Sequence, residues 1–74
     1  MTENNIKECL SMNIKTLREK KKMTQEQLSA KSGIHRVSLT RYETGRQTPS
    51  IYVLHLIAIA LDVKLGKLFE NCFK

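Results

Sequence analysis

Arg36, Val37, Thr40 and Arg41 are four side chains of complementary chemistry in one short stretch of the chain. On a wheel at about 100° per residue with Arg36 at zero, Thr40 falls at about 40°, Thr44 at about 80°, Val37 at about 100° and Arg41 at about 140°. A helix would therefore present all five on one arc. Arginine can grip guanine O6 and N7 with two hydrogen bonds, threonine can donate or accept, and valine can touch a thymine methyl. The combination suits the major groove of DNA. An ordinary solvated face is the competing reading, and an outward Val37 is the residue it accommodates least well. Around this arc, Gln25, His35, Thr44 and Arg46 are expected to meet phosphates and fix register without reading sequence. For Gln25 a brace to the reading helix is the alternative, and for His35 a plain turn.

The elements that must hold this arc follow from local signals. Leu39 at about 300° and Tyr42 at about 240° would anchor the reading helix to a core. Ahead of it, Thr24 has the form of a helix N-cap, with Gln27 completing a capping box and Met23 placed to staple against Leu28. The helix so started runs from Gln25 to Ser32. Gly33 stops it, because a left-handed residue after a helix costs glycine little. Only Ile34 and His35 then precede the reading helix, roughly Arg36 to Thr44, so the two must cross steeply as in a helix-turn-helix. Small Ser29 would permit the close approach.

Upstream, Ile6, Leu10, Ile14 and Leu17 share one face of a first helix that ends in Lys20-Lys21-Lys22. Its start is open between Asn4 and Asn13. Downstream, Gly45 closes the reading helix and Pro49 suits the first turn of a fourth, Ser50 to Leu61. Leu65, Leu68, Phe69, Cys72 and Phe73 mark a fifth. The expected class is all-α with five helices.

The 74 residues carry 13 Lys and Arg against 7 Asp and Glu, a net charge of +6. One small domain fits that length, with no room for a separate catalytic one. The positive field favours polyanions, nucleic acid ahead of anionic membrane. No apolar run approaches a membrane span, and the start lacks the charged and apolar regions of a leader, so a cytoplasmic protein is expected. Cys9 and Cys72 have no CxxC partner and read as two free thiols in a reducing compartment. With His35 and His55 they lack zinc spacing. No nucleophile, base and orienter set is visible, so no enzyme, metal, cofactor or small-molecule ligand is expected.

Taken together, Thr24 through Ile34, then Ser38-Leu39, Arg41 through Gly45, Thr48 through Ile51, Ile57 through Val63 and Leu68-Phe69 resemble the Xre family of Cro and phage-repressor helix-turn-helix proteins. The likeness covers about residues 14–69, with the motif at 25–44. Residues 1–13 form an N-terminal extension that joins or leads into the first helix, and 70–74 the end of the fifth. The resemblance implies a lambda-repressor-like domain that binds a palindromic operator as a homodimer and regulates transcription. Phage repressors and restriction-modification controller proteins are the family members most similar in size. It places base reading at Arg36, Val37, Thr40 and Arg41. It also implies a structural ion pair from Arg18 to Glu43, whose position at about 340° on the wheel would make an unpaired carboxylate costly.

Departures from the family pattern carry their own expectations. His35 and Lys64 stand where Ser or Thr caps are usual, weakening two helix starts by about 1 kcal/mol each. In the fourth helix Ile51, Leu54, Ile57, Ala58 and Leu61 form a core arc, while Tyr52, Leu56 and Ile59 make a second apolar stripe. That stripe is expected to meet either the first helix at Ile6 and Leu10 or a second subunit. The candidate homodimer surface is Tyr52, Leu56, Ile59, Leu65, Phe69 and Phe73, against the alternative that these finish a monomer's core. A rival function is a protein-interaction module of the same fold, such as an antitoxin or anti-repressor, which would not need Arg36 and Arg41 flanking Thr40.

Overall fold

In the computed structural model, which describes residues 3–73, every regular element is helical. Helix α1 spans Glu3–Lys20, α2 Gln25–Ser32, α3 Arg36–Glu43 and α4 Ile51–Leu61, and a 3-10 helix covers Leu65–Phe69. The first helix thus takes the earlier of its two possible starts. Its apolar face delivers Leu10, Ile14 and Leu17 to the core. Fully buried side chains come from every element: Ile14, Leu28, Leu39, Ile57, Leu61 and Leu68. A small domain gains most from such a shared centre, because each element alone has too little apolar surface to stay folded.

Local signals set the boundaries where they are strongest. Thr24 caps α2 with both halves of the capping box: its hydroxyl accepts from Gln27 N at 3.1 Å and its N–H donates to Gln27 Oε1 at 2.8 Å. Met23 packs against the core beside it. Gly33 ends the helix in the left-handed conformation at φ 77°. Gly45 does the same after α3 at φ 74°, where Arg46 N–H donates back to Arg41 O at 2.9 Å. His35 and Lys64 occupy N-cap positions without a side-chain cap hydrogen bond.

Four expectations are corrected. Ser50 is the N-cap of α4, accepting from Val53 N at 3.1 Å, so Pro49 precedes the helix and does not lie in its first turn. Ile51 is 64% exposed; the buried arc of α4 centres on Leu54, Ile57 and Leu61, and Ile51 lies past its edge at the helix end. The fifth element is a short 3-10 helix that does not run on through residues 70–73. Gly66 and the uncapped Lys64 weaken its start, Asn71 turns left-handed at φ 67°, and the Asn13 amide takes the Leu68 and Glu70 carbonyls at 2.9 Å each. The Cys72 N–H donates to Phe69 O at 3.0 Å, three residues back, and not to Leu68 O as an α-helix would require.

The cysteines are the fourth correction. Cys9 and Cys72 are joined as a disulfide, with their Cα atoms 5.5 Å apart. No spacing rule reveals such a pair, because it arises only once α1 lies beside the segment after the 3-10 helix. Among the described residues there is no cluster of His, Cys, Asp or Glu able to hold a metal ion, and no helix is long and apolar enough to cross a membrane.

Candidate nucleic-acid interface

The turn between α2 and α3 is held by serines. Ser29 Oγ donates to Ile34 O at 2.6 Å, and the buried Ser32 Oγ accepts from Ile34 N at 3.2 Å. Ile34 is thereby pinned on both sides of its peptide and its side chain is buried. With Leu28 and Leu39 fully buried on either side of the turn, the crossing of the two helices is a packed joint.

On that joint α3 turns Leu39, Tyr42 and Glu43 inward and exposes Arg36, Val37, Thr40, Arg41 and Thr44. The structure thus brings the base-reading candidates onto one face. Val37 is 61% exposed, an apolar side chain left largely to water. His35 and Arg46 are exposed at the two ends of the helix.

Behind this face lies a hydrogen-bonded platform. Glu43 accepts from Arg18 Nε at 2.8 Å, from Arg18 Nη2 at 3.0 Å and from Gln25 Nε2 at 3.1 Å. Arg18 Nη1 also donates to Met23 O at 2.8 Å. The pair is buried, with side chains 11% and 2% exposed, and bidentate geometry of this kind adds direction as well as energy. The hydrogen bond to Glu43 raises the Arg18 pKa above the ordinary arginine value, outweighing the burial that lowers it. Three elements, α1, α2 and α3, thus meet at one carboxylate.

Gln25 extends this platform to the outward face of α3. The Thr40 hydroxyl lies 3.0 Å from Gln25 Oε1 and 3.1 Å from Arg36 O, and its single hydrogen serves one of them at a time. The brace that the sequence left as an alternative for Gln25 is present, and its position in the first turn of α2 still leaves it beside the positive end of that helix. Arg18, Thr24, Gln25, Glu26 and Arg36 line a shallow cleft there. Arg36 Nη1 lies 3.9 Å from Glu26 Oε1, both well exposed, a contact weak enough for an incoming phosphate or base to displace. Thr44 Oγ1 donates back to Thr40 O at 2.7 Å, so contact with a phosphate would exchange that bond.

The helix-turn-helix family model matches residues 14–68, most of the chain and all of the platform just described. This chain belongs to that family. The Xre/Cro-like helix-turn-helix proteins are transcriptional regulators, and the relatives fit that description. An HTH-type transcriptional regulator of Bacillus subtilis, YqaE, is 40% identical over 61 residues, covering 82% of this chain. The chain spans 53% of that protein's length. Control protein C.SmaI of Serratia marcescens is 33% identical over 66 residues, covering 89% of this chain and 79% of its own. The crystal structure of the restriction-modification controller protein C.AhdI from Aeromonas hydrophila superposes with a TM-score of 0.82 at 29% identity, covering 84% of this chain and 94% of that one.

In this helix-turn-helix domain the apolar excess of α4 is left uncovered. Tyr52, Ile59 and Phe73 are 66%, 62% and 66% exposed, while Leu56, Leu65 and Phe69 are half-buried against the core. Helix α1 does not cover the stripe: Ile6 and Leu10 line a groove with Pro49, Ile51, Leu54 and Phe69 instead. Phe69 and Phe73 have ring centroids 5.7 Å apart, so the exposed Phe73 continues from that groove. Sequence reasoning missed Ile51 as part of this surface and Asn13 as the anchor of the C-terminal segment. The spacing of Cys9 and Asn13, one helical turn apart, was the signal available for the latter.

Proposed function

We propose that this chain is a sequence-specific regulator of transcription that binds a palindromic operator as a homodimer in the cytoplasm. The observation that carries the reading is the outward arc of Arg36, Val37, Thr40 and Arg41 on a helix fixed from behind by the Arg18, Glu43 and Gln25 platform. Each α3 enters a major groove, where the two arginines and Thr40 read base edges and Val37 seeks a thymine methyl. Gln25, His35, Thr44 and Arg46 hold phosphates on either side and set the register.

Two copies place their reading helices about one helical turn, roughly 34 Å, apart. Their contact uses Tyr52, Leu56 and Ile59 of α4 with Leu65, Phe69 and Phe73, the apolar surface that this chain leaves exposed or half-exposed. Such surfaces on small proteins mark association sites. Similarity to C.SmaI and C.AhdI supports a controller-type regulator, acting by occupancy of a promoter. No catalytic step is assigned to it.

The test is the pair of variants Arg36→Ala and Arg41→Ala on DNA bound by the parent protein. Each is expected to cost about 1–3 kcal/mol of affinity and to relax preference at its own base position. Unchanged affinity and preference in both would overturn the reading and favour a protein-binding module.

A further inference from the structure

The disulfide between Cys9 and Cys72 joins α1 to the segment after the 3-10 helix, across 63 residues of sequence. Its Cα separation of 5.5 Å is one at which the bond opens and closes without moving the backbone. The two sulfurs differ in access: Cys72 is fully buried and Cys9 half-buried. Asn13, one turn along α1, holds its amide nitrogen 2.9 Å from the Leu68 and Glu70 carbonyls and 3.4 Å from Cys72 Sγ. The segment from Glu70 to Phe73 is thus fastened to α1 by one covalent and one hydrogen-bonded device. Its other holds run back to the 3-10 helix: the Lys67–Glu70 ion pair at 2.7 Å and the contact of the Phe69 and Phe73 rings.

A chain that works on chromosomal DNA meets thiol pools that keep most cysteines reduced, and disulfides in that setting are transient or redox-sensing. To that extent the inference rests on the function proposed above. We propose that Cys9 and Cys72 form a reversible thiol-disulfide site, opened by a small thiol of the glutathione class and closed by its disulfide. Its state sets whether the C-terminal segment is held to α1 covalently or by the Asn13 hydrogen bonds alone.

In opening, a small thiolate attacks Cys9 Sγ, the accessible sulfur. The bond between the cysteines breaks, a mixed disulfide forms at Cys9, and the electron pair leaves on Cys72 Sγ, where the Asn13 amide stands ready to donate to it. A second small thiolate attacks the small-thiol sulfur of the mixed disulfide and releases Cys9. Two protons from solvent complete the two thiols. The protein gains two electrons, and two small thiols become one disulfide. Closure is the reverse, with the small disulfide as oxidant.

The test uses the intact chain in glutathione buffers of graded thiol-to-disulfide ratio, with maleimide labelling and amide hydrogen exchange as readouts. Labelling should rise and fall reversibly with the ratio. On reduction, exchange at the Cys72 amide, which donates to Phe69 O at 3.0 Å, should quicken about tenfold or more. Core amides such as Ile14 and Leu39, which exchange only on global opening, report separately the stability the whole fold loses with the cross-link. Cys9→Ser should exchange like the reduced parent in every buffer. A bond that fails to form, one that resists reduction until the chain unfolds, or equal exchange in the two forms overturns the proposal. None of these readouts involves DNA, so a chain that switches yet binds no DNA refutes the proposed function and supports the switch.

Discussion

Arg18 and Glu43 lie 25 positions apart in sequence and share a bidentate contact, 2.8 and 3.0 Å, on the inner side of α3. Breaking a buried pair by removing one partner leaves a charge without compensation, at a cost of about 3–5 kcal/mol. Arg18→Met is therefore expected to destabilise the fold by about 3 kcal/mol, since Gln25 still donates to Glu43, and to lower Tm by more than about 10 °C for a chain this small. Adding Glu43→Leu should recover much of the loss. A double-mutant cycle with no coupling between the two sites would show that the contact ties nothing together.

The same pair has a defined pH behaviour. A cation whose folded pKa is raised contributes stability that is fully present below its unfolded value and fades only as pH rises through the folded one. For Arg18 both lie far on the alkaline side. The Tm difference between the parent and Arg18→Met should stay constant from neutral to mildly alkaline pH, as thermal unfolding in a buffer series would show.

Arg46 lies exposed just past Gly45, where it would meet a phosphate and no base. Arg46→Ala should weaken binding to all sequences alike and flatten the slope of log affinity against log salt by about one unit. Titrations at several salt concentrations check this. Altered base preference with an unchanged slope would assign Arg46 to reading.

Tyr52 and Ile59 are exposed on α4 and contribute little to the monomer's own core. Replacing both with aspartate should leave helix content and Tm close to the parent while abolishing self-association in sedimentation experiments. Two charges per copy brought face to face without partners cost several kcal/mol. A double variant that still dimerises places the interface elsewhere.

What the sequence made legible was local. Thr24 with Gln27, Gly33 and Gly45 act through bonds within a few residues, so their roles could be read from spacing alone. The wheel separated Leu39 and Tyr42 from Arg36, Val37, Thr40 and Arg41 because α3 is regular and anchored by a single buried stripe. Illegible were relations created only by packing. The approach of Cys9 to Cys72, the reach of Asn13 to the Leu68 and Glu70 carbonyls, and the exposure of Ile51 all depend on where α1 and the C-terminal segment meet. The end of the fifth element at Phe69 belongs with them, since the segment after it is placed by its contacts with α1. Gln25 lies between the two cases: its position marked it as important, but only the geometry showed one amide serving both Glu43 and Thr40.

The central claim is that two copies of α3 read a two-fold symmetric site. Selection of bound sequences from random double-stranded DNA by the intact protein tests it most directly. The account predicts an enriched palindrome whose half-sites are centred about 10 base pairs apart, with base preferences that weaken at particular positions in Arg36→Ala and Arg41→Ala. Recovery of no preferred sequence, or of an asymmetric one indifferent to both arginines, would contradict it.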